Sequence, residues 1–351
     1  AQLQLGSCPF RAAMTEKTPG KLLASGGIRT VEKHVERPVL YQFPGSFNSG
    51  KATLAMQLSQ KANEVEIKYV CHMRDNYTPE YVRLNPDTMA VPTMEIDDKV
   101  CTDSMDLCRY LLDNYPGPGD REVVAAGQKE EMMAWINFAA EWDEYMFTYG
   151  HMSQSSADTP NEIRLVNLRY YLHQVLTDKP PDMEFLVNAY VKKIAGVASM
   201  KRAQESGPQK EKDLEDNKLL LDRILARGND LVGQHPEGFL FGDKLTTADV
   251  FFLPIFRIFY MLLPGKFDEV FQKYPNLQGY WQRAQASPDV ETGLMKYVRK
   301  PHMAWAMFSA KVPKTILAYV FGLLKAPKLP EEIEQRIAAA TEEQWKKVRG
   351  G

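Results

Sequence analysis

Two serines lie in a short turn between a predicted strand and a predicted helix, in the stretch PVLYQFPGSFNSGKATLAMQL (38–58). These residues are Ser46 and Ser49. The first turn of a helix carries unsatisfied N–H groups and the positive end of the helix dipole, so it favours a bound anion. A serine hydroxyl is no base near neutral pH, but it can donate a hydrogen bond to an anion. The pattern predicts either such a donor or two residues that only cap the helix.

A second place that could bind a ligand is Asp103-Ser104, at the predicted start of a helix over 104–115. Ser104 is predicted to be the N-cap of that helix. A helix N-terminus is a good site for a carboxylate. The two residues therefore either bind an anionic group or serve the helix alone.

Val91-Pro92 is the third feature of this kind. A trans proline here would simply open an edge strand. A cis peptide bond before proline is uncommon and usually has a structural or functional role. It would leave the N–H and C=O of Val91 available to an extended peptide.

Around these residues the chain follows an α/β pattern. Thr78 is the predicted N-cap of a short helix, and Asp97-Asp98 is the predicted hairpin turn between the last two strands. The order is βαβ, then α, then ββα, which predicts a small mixed sheet with helices on both faces. The predicted strands cover 38–43, 65–70, 91–96 and 99–102, and the predicted helices cover 49–62, 78–85 and 104–115.

After the PGPGD linker (116–120), strand patterns give way to helices. The first helix carries an aromatic stripe that ends in Tyr145 and Tyr149, and this stripe either packs in the core or lines an apolar pocket. Thr246 and Asp249 form a Thr-x-x-Asp variant of the capping box, with a structural role. The predicted helices cover 124–149, 161–177, 182–204, 210–232, 247–263 and 266–287.

Composition limits the classes of function. The chain has 351 residues and a formal net charge of -2. The length predicts two domains, and the charge provides no global attraction for nucleic acid or an anionic membrane. Four cysteines without a CxxC motif and six dispersed histidines argue against a disulfide framework, and we expect no metal site.

Four motifs, in the order and spacing found here, resemble the soluble glutathione S-transferase family. They are FPGSFNSGKATLAM, LNPDTMAVPTME, CTDSMDLCRYL and FLFGDKLTTADVFFLPIF. The resemblance implies a thioredoxin-like α/β domain (βαβ-α-ββα), expected over 38–116, followed by an all-α domain over 124–295. An N-terminal arm (1–37) and a C-terminal extension (296–351) would flank them.

The resemblance also implies how glutathione, as cosubstrate, would be bound. Val91 and a cis Pro92 would pair with its cysteinyl part, and Asp103 and Ser104 would hold its γ-glutamyl group. Tyr145 and Tyr149 are candidates for the pocket of an apolar electrophile.

The same resemblance implies a catalytic hydroxyl. Ser46, with Ser49 as the reserve candidate, would donate to the glutathione thiolate, because a helix N-terminus and a donor lower a thiol pKa from its usual value of about 8.5. Two departures concern the same region. Gly50 stands where many relatives have arginine, and Met89-Ala90 replace a Gly-Lys pair that normally contacts the glycyl carboxylate.

Two functions follow as expectations. The first is glutathione transfer to an apolar electrophile, or a glutathione-dependent isomerisation at the same site. The alternative is a non-catalytic scaffold subunit of a larger assembly. We expect a homodimer or a complex subunit that binds no nucleic acid, in the cytoplasm or in an organelle after removal of a targeting peptide.

The C-terminal extension contains an apolar segment, 303–324, that is broken by Lys311, Pro313 and Lys314. Its longest clean run covers residues 315–324, whereas a membrane-spanning helix needs about 20 residues. This segment is predicted to lie on a lipid surface, on a partner, or on the protein's own helices.

Overall fold

The computed structural model describes residues 27–117, 128–150, 154–205 and 207–350. Three strands form one mixed sheet: β1 (Ile28–Gln42), β2 (Glu66–Tyr69) and β3 (Thr93–Cys101). The strand order is β2-β1-β3, with β1 parallel to β2 and antiparallel to β3. The central strand is thus the one that leads into the serine-containing turn.

Helices α1 (Phe47–Leu58), α2 (Pro79–Leu84) and α3 (Ser104–Asn114) complete this α/β domain. A 3-10 turn (Asp75–Tyr77) precedes α2. Thr78 caps α2 as predicted, since its hydroxyl accepts a 3.4 Å bond from the N–H of Tyr81. The domain has the predicted thioredoxin-like class.

The predicted hairpin turn at Asp97-Asp98 is wrong. One continuous strand, β3, replaces the two predicted strands, and Asp97 adopts a left-handed backbone (φ 53°) at an irregularity in its pairing with β1. Strand β1 also begins ten residues before the predicted start at 38, within the segment expected to be an arm, because Ile28 pairs with Cys101. Residues 1–26 of that arm lie outside the described residues.

The rest of the described chain is helical. The helix predicted over 124–149 is in fact two helices, because Asp143 starts a new one by accepting a 2.8 Å bond from the N–H of Met146. The helices are α4 (Lys129–Ala139), α5 (Glu144–Gly150), α6 (Gln154–Asp178), α7 (Met183–Glu205), α8 (Gly207–Gln234), α9 (Thr247–Leu262), α10 (Phe267–Lys273), α11 (Pro275–Ala286), α12 (Lys300–Ser309), α13 (Val312–Val320) and α14 (Glu331–Gly350).

One hydrophobic core joins the α/β domain to the helical domain. It contains Leu54 of α1, Met94 of β3 and Phe256 of α9, all fully buried. Burial of such side chains contributes about 1.5–3 kcal/mol each, so the contact between α1 and α9 fixes the two domains against each other.

The start of α9 is held by its own polar residues. The buried carboxylate of Asp249 accepts bonds from the N–H and the hydroxyl of Thr246, at 2.7 and 2.8 Å. Its second oxygen accepts a 2.9 Å bond from the hydroxyl of Tyr280. Burial raises the pKa of Asp249.

A second hydrophobic cluster covers the chain between β2 and β3. It joins Tyr77, Val82 and Met89 to residues of α6 and α7, and to Ile333 and Ile337 of α14. The helix pair α6–α7 and the last helix of the chain thereby hold the segment that leads to Val91-Pro92.

The apolar segment 303–324 forms α12, α13 and the residues after them. Within the described ranges, no single helix has the length and apolar composition to cross a membrane, whereas α9 and Pro264–Lys273, bent by 117°, meet that criterion as a pair.

Candidate functional site

Ser46 is the N-cap of α1. Its backbone is extended (φ -78°, ψ 128°), and its hydroxyl oxygen accepts a 3.2 Å bond from the N–H of Ser49. Its own N–H donates to the carbonyl of Phe43, at 2.9 Å, which closes the turn. The side chain is partly exposed. A hydroxyl that accepts one bond keeps its hydrogen for donation, so Ser46 can serve an anion from the open side of the turn.

Ser49, the reserve candidate, has a different position. It is fully buried, and its hydroxyl accepts a 3.3 Å bond from the N–H of Phe43. Ser49 is one of the two residues considered for the cap of α1, and the structure assigns the cap to Ser46. Ser49 therefore stabilises the turn through its hydrogen bond with Phe43.

The Val91–Pro92 peptide bond is cis, which confirms that prediction. Among the described residues, neither the N–H nor the C=O of Val91 has a hydrogen-bond partner. Buried side chains hold the chain on both sides of it. The amide of Asn85 donates to the carbonyl of Ala90 (3.2 Å) and to the hydroxyl of Thr93 (2.8 Å). The backbone at Val91 is thus held in position by its neighbours, while its N–H and C=O remain available to a ligand.

The cap of α3 differs from the predicted one. Asp103, not Ser104, is the N-cap, and its carboxylate accepts bonds from the N–H groups of Met105 (2.8 Å) and Asp106 (3.1 Å). Ser104 is the first residue of the helix. Both residue types are good N-caps, and the Asp103 carboxylate also adds negative charge at the positive end of the helix dipole.

Asn48 links the starts of α1 and α3, and the sequence analysis missed it. Its amide oxygen accepts a 3.2 Å bond from the hydroxyl of Ser104 and a 3.0 Å bond from Lys51 Nζ. Its amide nitrogen donates to Glu144 of α5, at 3.1 Å. In the sequence, Asn48 is only a polar residue at what becomes the second position of α1. Such residues are common on helix surfaces, so nothing distinguished it as part of a site.

The chain entering β1 passes directly over the start of α3. The N–H of Gly27 donates to the buried Asp106 carboxylate, at 3.1 Å. A Cβ added to Gly27 would lie 2.4 Å from the Cβ of Asp103, so only glycine fits at this approach. Gly27 therefore narrows one side of the ligand-binding region expected at Asp103-Ser104.

A buried cation lies beneath the serine turn. Arg257 of α9 is 2% exposed, and its guanidinium donates to the carbonyl of Pro44. A Cβ on Gly50 would lie 2.0 Å from one of its nitrogens, so the glycine makes room for the arginine. Burial lowers the pKa of Arg257 to about 10, which leaves it charged at neutral pH.

The cysteines in the described residues are unsuited to be nucleophiles. Cys71, Cys101 and Cys108 are buried and unpaired, and burial raises the pKa of each thiol, that of Cys101 to about 12. A reactive thiol needs the opposite shift. None of these three thiols is suited to chemistry at the serine turn, whereas a thiol brought by the substrate would be. The described residues contain no group of three or more His, Cys, Asp or Glu arranged to hold a metal ion.

The predicted electrophile pocket is only partly visible. Tyr145 and Tyr149 lie on α5, and their side chains fall outside the described part of the structure, so their role stays a prediction. The earlier aromatics of the same stripe are core residues. Trp142 packs edge-on against Phe47 at 5.4 Å, and Trp135 is fully buried.

Both halves of the chain are similar to one family. Residues 40–119 match the model described as "Glutathione S-transferase, N-terminal domain", and residues 180–288 match "Glutathione S-transferase, C-terminal domain". Together the two matches cover more than half of the chain. No curated protein sequence matches it.

Several solved structures are similar to this chain at low sequence identity. The β-etherase LigF from Sphingobium sp. strain SYK-6 is 21% identical, with a TM-score of 0.51 over 74% of this chain and 99% of that one. A glutathione S-transferase from the Antarctic clam Laternula elliptica is 19% identical, with a TM-score of 0.44 over 76% and 97%. A glutathione transferase family member from Pseudomonas fluorescens pf-5, solved with two glutathione bound, is 17% identical, with a TM-score of 0.47 over 74% and 92%.

Proposed function

The chain belongs to the glutathione S-transferase family, and we propose that it binds glutathione and activates the glutathione thiol for attack on an apolar electrophile. The observation that carries the proposal is the position of Ser46. Its partly exposed hydroxyl caps α1 two residues after Pro44, whose carbonyl accepts a bond from the buried Arg257.

The binding part of the proposal uses two free polar sites. The unpaired backbone groups of Val91 suit an extended peptide laid antiparallel to this segment. The first turn of α3 offers the γ-glutamyl carboxylate the N–H of Ser104, and also the Ser104 hydroxyl once that hydroxyl turns from Asn48 to the ligand. The carboxylate of Asp103 adds a negative charge that suits the ammonium group of the same residue.

The chemical part concerns one proton and one new bond. The thiol releases its proton to solvent, and the thiolate sulfur attacks the electrophilic carbon, forming a C–S bond while the leaving group departs with its electron pair. The Ser46 hydroxyl, the dipole of α1 and the charge of Arg257 all favour the anionic sulfur over the neutral thiol. Each therefore lowers the pKa of the bound thiol.

The electrophile would approach beside α5. The hydrogen bond between Asn48 and Glu144 ties the start of α5 to the start of α1, which supports Tyr145 and Tyr149 as neighbours of the sulfur. A glutathione-dependent isomerisation would use the same thiolate and the same pocket.

The test compares Ser46→Gly with the unmodified protein. Glycine is also a good N-cap and costs only a few tenths of a kcal/mol there, so this change removes the hydroxyl and keeps the helix. We expect turnover of a generic aryl halide to fall about tenfold or more, with glutathione affinity by calorimetry nearly unchanged. The ultraviolet absorbance of the bound thiolate should titrate at a higher pH.

Ser49→Ala is the matched control. Because Ser49 is buried beneath the turn, we expect it to lower the melting temperature and to leave the thiol pKa close to that of the unmodified protein. Loss of turnover in Ser49→Ala alone, with Ser46→Gly fully active, would show that the wrong serine has been assigned.

One observation favours a second candidate function, that of a non-catalytic scaffold. Gly27 covers one side of the α3 start, and the Ser104 hydroxyl already donates to Asn48. No calorimetric heat, no thermal shift at millimolar glutathione and no retention on immobilised glutathione would contradict the transferase proposal and favour the scaffold. The homodimer or larger assembly expected from the sequence stays a prediction.

A further inference from the structure

The C-terminal helices α12 and α13 have one side fixed to the protein. The hydroxyl of Tyr69 in β2 lies 2.7 Å from Nε2 of His302, and Arg74 donates a 3.1 Å bond to the hydroxyl of Thr315. Ala310 and Val312 are buried in a small cluster with Cys71. These contacts hold the helix pair in place independently of any partner.

Much of the remaining surface of this segment is apolar and exposed to solvent, although Trp305 also contacts Tyr69 with its ring edge-on at 5.2 Å. We call this surface the C-terminal apolar face and define it by six residues whose side chains are each more than half exposed. They are Trp305 (58%), Phe308 (70%), Leu317 (52%), Val320 (65%), Phe321 (71%) and Leu323 (76%). Single exposed apolar residues need no explanation, whereas several large ones in one short segment mark an interaction site.

Charge along residues 296–330, the stretch that carries this face, has one sign. Residues 296–330 contain seven lysines and arginines and no aspartate or glutamate, although the whole chain has a net charge of -2. Five of these cations are exposed and form no ion pair with a described residue: Lys300, Lys311, Lys314, Lys325 and Lys328. The positive charge is therefore local to the apolar face.

We propose that the C-terminal apolar face docks on the surface of an anionic lipid bilayer. Aromatic and aliphatic side chains would enter the headgroup–acyl boundary, and the lysines would stay at the level of the phosphates. Long lysine side chains suit this arrangement, since the alkyl part lies along apolar surface while the ammonium group reaches the polar layer.

The lysines also decide between a bilayer and a protein partner. Protein interfaces are depleted in lysine, whereas anionic headgroups attract it. Residues 1–26 offer no complementary charge for this face, since they carry three basic residues and one acidic residue. The nine-residue helix α13 is far shorter than the roughly 20 residues that span a bilayer, so the helices would lie along the membrane plane.

The test is flotation of the full chain with vesicles. One set is pure phosphatidylcholine, and the other contains a third phosphatidylserine. We expect at least tenfold more bound protein on the anionic vesicles, and a decrease as salt concentration is raised. Binding to neither set, or equal binding to both with no salt dependence, would overturn the proposal.

Variants locate the surface. Phe321→Ser with Leu323→Ser should reduce binding at least tenfold, and so should Lys314→Glu with Lys325→Glu. The matched controls on α8 are Leu219→Ser, where the side chain is 54% exposed, and Lys212→Glu. Because all these side chains are exposed, melting curves should be unchanged. Equal loss in the controls would overturn the proposal, as would lipid-independent self-association that the Phe321/Leu323 variant abolishes.

Discussion

The guanidinium of Arg257 donates a hydrogen bond to the carbonyl oxygen of Pro44, across 213 positions of sequence and across the boundary between the two domains. The contact places a buried positive charge from the helical domain beneath the turn that carries Ser46. Gly50 is required for it, because any side chain there would overlap the arginine. The electrostatics of the proposed thiol site are thus supplied partly by the second domain.

Replacing Arg257 with methionine tests that charge. We expect the pKa of bound glutathione to rise by about one pH unit, the lower end of the shift that a nearby opposite charge produces. Arg257→Lys should keep most of the effect, since the charge remains. Ultraviolet titration of the bound thiolate measures the thiol pKa in both variants. An unchanged thiol pKa in a folded Arg257→Met protein would remove Arg257 from the proposed site.

Ser104→Ala tests the α3 start. We expect glutathione affinity by calorimetry to fall by about 1–2 kcal/mol, the value of a hydrogen bond to a charged group. Thr177→Ala, at an exposed threonine on α6, is the control and should leave affinity unchanged. Equal affinity in Ser104→Ala and the unmodified protein would show that the Ser104 hydroxyl donates no hydrogen bond to glutathione.

Gly27→Ala tests the close approach of the entering chain to α3. The added Cβ would lie 2.4 Å from the Asp103 Cβ, so we expect a loss of about 1–3 kcal/mol. Such a loss lowers the melting temperature by at most about 2–4 °C for each kcal/mol, the range for smaller domains of about 150–250 residues. Gly265→Ala is the control, since its surroundings are open. Similar melting curves for both variants would contradict the packing described here.

His72 predicts a loss of stability in acid. Burial first, and the positive charge of Arg164 second, lower the pKa of His72 to about 3, from 6.5. The folded state therefore binds fewer protons than the unfolded state between these values, and stability falls as the pH drops from 6.5 towards 3. The slope from this residue is at most about 1.4 kcal/mol per pH unit.

Urea unfolding at several pH values measures that slope. His72→Gln should flatten it, whereas His173→Gln, at an exposed position on α6, should leave it unchanged. The same slope in His72→Gln and the unmodified protein would contradict the assignment.

Local sequence patterns were sufficient to predict the structure wherever a single motif determines a single structural element. The cap of α2 at Thr78 follows from the residues next to it in the sequence. The cis bond before Pro92 follows from the resemblance of its motif to the family. The cap of α3 could not be chosen in this way, because Asp103 and Ser104 are both good caps and only the folded backbone selects between them.

Long-range features were beyond the sequence. Arg257 stands in an apolar run, FFLPIFRIFYML, and nothing near it identifies the carbonyl of Pro44 as its acceptor. The hairpin predicted at Asp97-Asp98 failed for a related reason. Two acidic residues favour a turn locally, but pairing with β1 on both sides keeps β3 extended and turns the predicted corner into an irregularity.

The hydrophobic cluster that joins Tyr77 and Met89 to Ile333 and Ile337 also affects the order in which parts of the chain fold during synthesis. On the ribosome, the segment leading to Val91-Pro92 emerges long before the last helix that covers it. The cluster cannot close until residue 337 has left the exit tunnel, long after the segment that it covers. A nascent chain that stalls in the helical domain would expose these apolar side chains to chaperones. Ordering of the segment that leads to Val91-Pro92 therefore has to wait until α14 has been made.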